Sequence, residues 1–273
     1  MKVKPYDFHT HSTFCDGNNT LEEMTLEAID KGFSAIGFSG HSFTHFDLEC
    51  CIPKEKEDDY FSECRRLQEK YKDKIEVLCG IERDIYSDNT YPDLDYIIGS
   101  VHYLKVGEDD FLAVDMDKET QENGVNEYFG GDYLSFAEEY FKTVSKLPDA
   151  HKADIIGHFD LVKIYNADSS LFDENASRYI DAAKKAVDEL IKSDVLFEIN
   201  TGAVFRGRQQ EPYPSRFILK YIAQKGGKVI LSGDSHETKA LGFNFENSIK
   251  LAKDCGFKSI YTLTKSGKKE LEI

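Results

Sequence analysis

The segment YDFHTHSTFCDG, residues 6 to 17, sets His9 and His11 two positions apart behind a short apolar run and follows them with Asp16. Residues i and i+2 of an extended strand share a face. Both imidazoles would therefore point at one spot, which suits a metal ion and suits a hydrocarbon core poorly. Further ligand types recur downstream as His41, Glu82, His102, His158, Asp234 and His236. Imidazole and carboxylate donors without thiolate suit Zn²⁺, Mn²⁺ or Fe²⁺ alike.

The elements that must position these residues can be read from periodicity. Apolar runs at 3–8, 34–39, 75–81, 96–101, 153–159, 195–200 and 228–233 read as strands. Thr20 and Glu23 form a capping-box pattern ahead of a helix over 21–31, with Gly32 as its stop. Further helices are expected over 57–72, 133–147 (closed by Pro148), 173–193, 215–225 and 244–255. Strands alternating with helices imply a parallel sheet. Seven such strands fit a closed or nearly closed (β/α) barrel, with a doubly wound open sheet as the alternative.

On that frame every candidate falls at or just beyond the C-terminal end of a strand. His9, His11 and Asp16 follow strand one, His41 strand two, Glu82 strand three, His102 strand four, His158 strand five, and Asp234 and His236 strand seven. In a parallel barrel those ends form one rim, where such folds carry their active sites. Taken singly, each residue has a bland explanation: a core histidine, a turn aspartate at Asp16-Gly17, a surface pair at Glu82-Arg83, a helix cap at Asp234. Those explanations do not account for six of the eight histidines gathering at one end of the strands. His45 and His151 lie in loop-like contexts and read as surface residues.

Composition narrows the partners. The 273 residues carry no repeat or linker that marks a boundary, so 1–273 reads as a single domain. A net charge of −16 argues against a nucleic-acid backbone as the main partner, but leaves a small phosphorylated substrate open. No apolar stretch is long enough for a membrane span and no secretory leader is visible, so a cytoplasmic protein is expected. The six cysteines form no CxxC pair and read as reduced thiols.

HTH at 9–11, Asp16-Gly17, GHS around His41, GIE ending at Glu82, SVH ending at His102, GHFD from His158 and GDSH ending at His236 together resemble the motifs of the PHP (polymerase and histidinol phosphatase) family. AVDMDKET (113–120), GGDY (130–133) and NTGAVFRGRQQEPYP (200–214) are similar to its stand-alone histidinol-phosphate phosphatases. The resemblance implies a distorted (β/α)7, TIM-like barrel with three divalent metal ions. One ion would be held by His9, His11, Glu82 and Asp234, a second by Glu82, His102 and His158, and a third by Asp16, His41 and His236. Cys15 is not expected to ligate.

Three divalent ions against three carboxylates would net about +3, which suits a phosphomonoester dianion and an acidified water as nucleophile. No Ser-His-Asp or Cys-His arrangement competes for that role. Asp16, Glu82, His236 and Arg206 are the candidate catalytic groups. Arg206, after strand six, is expected to bind phosphate through its fork, with Lys163 as a second cation in place of an arginine; Arg208 is left as a surface residue. Asp160 is a candidate acid for the leaving alkoxide. Residues 103–132 are long for a crossover, acidic and glycine-rich, and could form a lid whose carboxylates meet an amino-bearing substrate. The resemblance implies hydrolysis of L-histidinol phosphate in histidine biosynthesis. The rivals are a phosphoesterase acting on another ester or a nucleotide, and a metal-stabilised scaffold without turnover.

Overall fold

A computed structural model describes residues 4–91 and 93–273. Its strands are β1 (Tyr6–Asp7), β2 (Ala35–Phe38), β3 (Glu76–Asp84), β4 (Tyr96–Ser100), β5 (Tyr103–Lys105), β6 (Phe111–Ala113), β7 (Ile155–Ile156), β8 (Leu196–Asn200), β9 (Lys228–Ser232), β10 (Ser259–Thr264) and β11 (Gly267–Glu272). The helices are α1 (Leu21–Asp30), α2 (Glu57–Tyr71), α3 (Lys118–Phe129), α4 (Tyr133–Val144), α5 (Leu147–His151), α6 (Ser177–Leu190), α7 (Gly202–Phe205), α8 (Arg216–Gln224) and α9 (Phe245–Cys255).

The order β1-β2-β3-β4-β7-β8-β9 runs parallel throughout, one strand per β/α unit. The two ends of that curled sheet meet. His11 N–H donates to Ser235 O and Ser235 N–H to His9 O, both at 2.9 Å, so β1 and the end of β9 close a distorted seven-stranded barrel. β10 adds to the outer edge of β9 and β11 returns antiparallel to it.

A strand buried on both faces reads as an unbroken apolar run, as in β2 (AIGF). Helices bury one stripe: α1 does so through Leu21, Met24, Thr25 and Ala28, its start fixed by the Thr20–Glu23 capping box. Tyr96 lies against Gly37 and Gly80 and donates to Phe8 O at 2.6 Å. A Cβ at Gly80 would stand 2.4 Å from Tyr96 Cζ, so that ring packs there only because the strand carries no side chain.

Several boundaries differ from the sequence expectation. Val3, the first residue of the first expected strand, lies outside the described residues. β3 continues to Asp84, so Glu82 lies within the strand, where it bridges to His41 of the neighbouring loop. The helix expected over 133–147 stops at Val144; Pro148 opens α5 instead of closing α4, since proline fits the first turn of a helix. The hairpin β10–β11 was not expected. Residues 103–132 are ordered structure, a β5–β6 hairpin followed by α3, with Leu112, Val114 and Val125 in the main core. Among the described residues no helix is long and apolar enough to cross a membrane.

Candidate metal centre

Glu82 lies at the centre of the rim, 1% exposed. Its Oε2 is 3.0 Å from His9 Nε2, 3.4 Å from His11 Nε2 and 3.1 Å from His41 Nδ1. Its Oε1 is 3.1 Å from His158 Nε2 and 3.4 Å from His102 Nε2, and accepts from Ser100 Oγ at 2.6 Å. Asp234 Oδ1 stands 3.6 Å from His11 Nε2, 3.8 Å from His9 Nε2 and 3.5 Å from His236 Nδ1. Asp16 meets His11, His41 and His236, the last at 3.1 Å. All nine side chains expected at the rim are thus brought into one cluster.

Barrel geometry explains the convergence. His9 and His11 flank the Thr10–Ser235 closure, so the first strand's imidazoles face the residues that follow the last. Asp234 turns with φ 47°, a left-handed conformation that aspartate adopts more readily than most residues, and this brings Asp234 and His236 to the same rim.

Two observations test whether a metal fits. His9 Nε2, His11 Nε2 and Glu82 Oε2 are buried and have no hydrogen-bond partner, although they face one another across about 3 Å. Buried polar atoms left so are costly unless something binds them. His102 Nε2 and His158 Nε2 also confront each other at 3.2 Å, a contact between two nitrogens that a cation or a shared proton must bridge. Four overlapping donor groups satisfy metal-ligand spacing: His11-Asp16-His41-His236, His9-His11-Asp234, His9-Glu82-His158 and His41-Glu82-His102. The donors fit divalent ions of the Zn²⁺, Mn²⁺ or Fe²⁺ kind. Cys15 Sγ lies 3.6 Å from His11 Nδ1, but burial and the nearby Asp16 charge push its thiol up to about 12.

The electrostatics are those of a cation site. Burial alone would raise Glu82 and Asp234; instead His9, His41 and His102 hold Glu82 well below the usual range, and Arg206 and His9 do the same for Asp234. Burial opposes charge on His9, His102 and His236, yet the carboxylates facing them hold all three above an ordinary imidazole. His11 is driven the other way by burial and by His236 and His41.

A cavity of about 400 Å³ opens above the cluster, lined by its outer members together with Arg206 and Arg208. Arg206, just past α7, donates through Nη2 to Asp234 Oδ2 at 2.9 Å and through Nη1 to the Asp234 carbonyl at 3.2 Å. Lys163 does not reach this wall. Its buried ammonium is taken by Ser215 Oγ at 2.8 Å and Glu174 at 3.3 Å, because a buried cation needs a partner close by. Asp160 is fully buried, accepting from Ser215 N–H and Oγ, and cannot meet a leaving group in the cavity. Arg208, read as a surface residue, lies on the cavity wall. His45 is exposed beside Asp88, whereas His151 is buried with Nε2 2.8 Å from the Asp84 carbonyl, contrary to expectation.

Sequence reasoning missed Glu198. Its Oε1 accepts from His9 Nδ1 at 2.6 Å and from Ser232 Oγ, and its Oε2 accepts from His158 N–H at 2.7 Å. The signal was a lone carboxylate inside the apolar strand VLFEIN.

A (β/α)7 barrel with a histidine and carboxylate cluster on its C-terminal rim defines a metal-binding hydrolase of the phosphoesterase type. The chain belongs to the PHP domain family, whose profile matches residues 7–202. It is 30% identical to a Schizosaccharomyces pombe protein named "Probable histidinol-phosphatase", over 96% of this chain and 90% of the relative. It is 24% identical to the histidinol-phosphatase of Bacillus subtilis, over 88% of this chain and 96% of the relative. In fold it is similar to the Lactococcus lactis histidinol phosphate phosphatase, solved with Zn, L-histidinol and phosphate. That match has a TM-score of 0.68 at 21% identity, covering 97% of this chain and 99% of the other.

Proposed function

We propose that the chain is a metal-dependent phosphomonoesterase that hydrolyses L-histidinol phosphate to L-histidinol and phosphate, a step of histidine biosynthesis in the cytoplasm. The observation that carries the reading is the convergence of five imidazoles on the two oxygens of buried Glu82. The names of the curated relatives and the ligands of the Lactococcus structure support the substrate. We take 1–273 as one PHP-type domain and 103–132 as the segment that covers the mouth.

Three ions would be held as the motifs suggest: one by His9, His11, Glu82 and Asp234, one by Glu82, His102 and His158, and one by Asp16, His41 and His236. Divalent ions there supply Lewis acidity, which offsets phosphoryl charge and makes water a competent nucleophile at neutral pH. The protein's own groups do the rest by position. Glu198 accepts a hydrogen bond from His9 Nδ1–H, which keeps the proton on Nδ1 and leaves Nε2 free to ligate, the usual support of a ligating histidine. Asp16, Glu82 and His236 border the reacting phosphoryl group. Arg206 offers its remaining N–H groups, and Arg208 a second guanidinium, to the non-bridging oxygens.

The test is phosphate release by metal-loaded protein from L-histidinol phosphate, a nucleoside monophosphate and an aryl phosphate. The expected result is a marked preference for L-histidinol phosphate, abolished by chelation. Equal rates on all three would replace the substrate assignment with a general phosphatase, and no release from any would leave a scaffold.

A further inference from the structure

Asp7, at the end of β1, carries a fully buried carboxylate that the chemistry of the rim leaves unused. Its oxygens accept three hydrogen bonds: Oδ1 from Gly233 N–H at 3.0 Å and from His9 N–H at 3.2 Å, and Oδ2 from Ser235 Oγ at 3.0 Å. Gly233 and Ser235 are the chain neighbours of Asp234 on either side. One side chain of the first strand therefore grips the backbone before Asp234, the side chain after it, and the backbone of His9.

The surroundings are shaped to that grip. A Cβ at Gly233 would fall on Asp7 Oδ2 and Ser235 Oγ, so a glycine at this position is what lets the carboxylate come so close. A carboxylate only accepts, and each of the three groups that meet it here donates. Asp234, between the two gripped residues, has φ 47°, a conformation that a residue other than glycine keeps only where its surroundings fix it. Past Asp234 the chain is tied to the first strand by the backbone bonds of Ser235 with His9 and His11. Before Asp234 it is tied there through Asp7 and the Gly233 N–H.

We propose that Asp7 is a positioning residue of the metal centre: it clamps the Gly233–Ser235 turn to the first strand and so holds Asp234 in its left-handed conformation, with its carboxylate facing His9 and His11. The proposal rests on the metal-centre reading above and adds to it the group that sets the geometry of one ion site before any ion binds. Both Asp7 oxygens are turned to their three donors, so the effect of Asp7 on an ion passes through Asp234.

The test compares the whole chain as wild type, Asp7→Ala, Asp7→Asn and Ser235→Ala. Asp7→Asn keeps an oxygen for the two N–H groups and an amide from which Ser235 Oγ can accept, so it is the conservative rescue. In metal-free protein, hydrogen exchange of peptides spanning residues 230–238 should quicken about tenfold or more in Asp7→Ala, while peptides of β3 and β4 keep the wild-type rate. The dissociation constant for Zn²⁺, measured by chelator competition, should rise about ten- to a hundredfold in Asp7→Ala, less in Ser235→Ala, and return close to the wild-type value in Asp7→Asn. Exchange that quickens evenly around the barrel would mark Asp7 as a general stability residue and overturn the proposal. Unchanged Zn²⁺ affinity in Asp7→Ala would overturn it too and leave the metal-centre reading standing, whereas a wild type that binds no Zn²⁺ would bring down both. Should Asp7→Ala fail to fold, Ser235→Ala decides: faster exchange confined to 230–238 with weaker Zn²⁺ binding supports the clamp, and wild-type behaviour in both contradicts it.

Discussion

Glu198 and His9, both buried and 189 positions apart in the chain, are joined by a 2.6 Å hydrogen bond between Oε1 and Nδ1. The pairing fixes which nitrogen of His9 carries the proton. A buried acceptor at Nδ1 selects the tautomer with an open lone pair at Nε2, and it is Nε2 that faces Glu82 and Asp234. Glu198→Gln removes the charge while nearly preserving the shape. Metal affinity or turnover should fall about ten- to a hundredfold, with the thermal transition of the metal-free protein changed far less. Unchanged metal content and rate would show that His9 is oriented without it.

Arg206 spends part of its fork on Asp234 and presents the rest to the cavity. Arg206→Ala should therefore act on phosphate binding, raising KM and the inhibition constant of inorganic phosphate about tenfold or more. Arg206→Lys keeps the charge without the bidentate geometry and should recover only part of the loss. A normal KM in Arg206→Ala would remove the guanidinium from the phosphate site.

Protons and metals compete for the same nitrogens. Burial works against charge on His9, His102 and His236, but the carboxylates around them outweigh it and hold their pKa values up. In the metal-free protein these three therefore remain protonated to higher pH than free imidazole. Their stabilisation of the apo fold is complete below about pH 6.5, the unfolded value, and is lost as pH rises through the raised folded values. Metal loading at neutral pH must expel those protons, and lowering the pH must weaken loading. Calorimetric titration in two buffers of different ionisation enthalpy should detect about one or more protons released per chain at pH 7. Loading that is independent of pH between 6 and 8 would contradict this.

At Gly80 the barrel interior leaves no room for a side chain. A methyl group there would collide with the Tyr96 ring, whose hydroxyl is tied to the Phe8 carbonyl just before His9. Gly80→Ala should lower stability by about 1–3 kcal/mol, seen as a reduced urea midpoint. It should also lower metal affinity, because shifting Tyr96 moves the strand that carries the first two imidazoles. Full stability would mean that the ring relaxes without cost.

The rim residues were legible in the sequence because a parallel barrel ties each to the end of a short apolar run: His9 and His11 to YDF, His158 to IIG, Asp234 to VILSG. Glu198 was hidden because its signal is a single charge inside a strand, and only coordinates reveal whether such a charge faces a neighbour's imidazole. Lys163 was misread for a related reason. Its place five residues after His158 is visible in the sequence, whereas Glu174 and Ser215, which hold its ammonium, come from distant loops. The β5–β6 hairpin with α3 looked like a loose acidic excursion because its exposed residues are polar; the few that anchor it, Leu112, Val114 and Val125, are too sparse to make a periodic pattern. Pro148 stood at a boundary that composition could locate but not orient.

Elemental analysis of protein reconstituted with divalent metal and dialysed free of excess tests the central claim most directly. A centre built on all nine side chains predicts about three tightly held ions per chain, reduced in Glu82→Ala, with phosphatase activity following the metal content. Retention of less than one ion per chain, or full activity after exhaustive chelation, would contradict it.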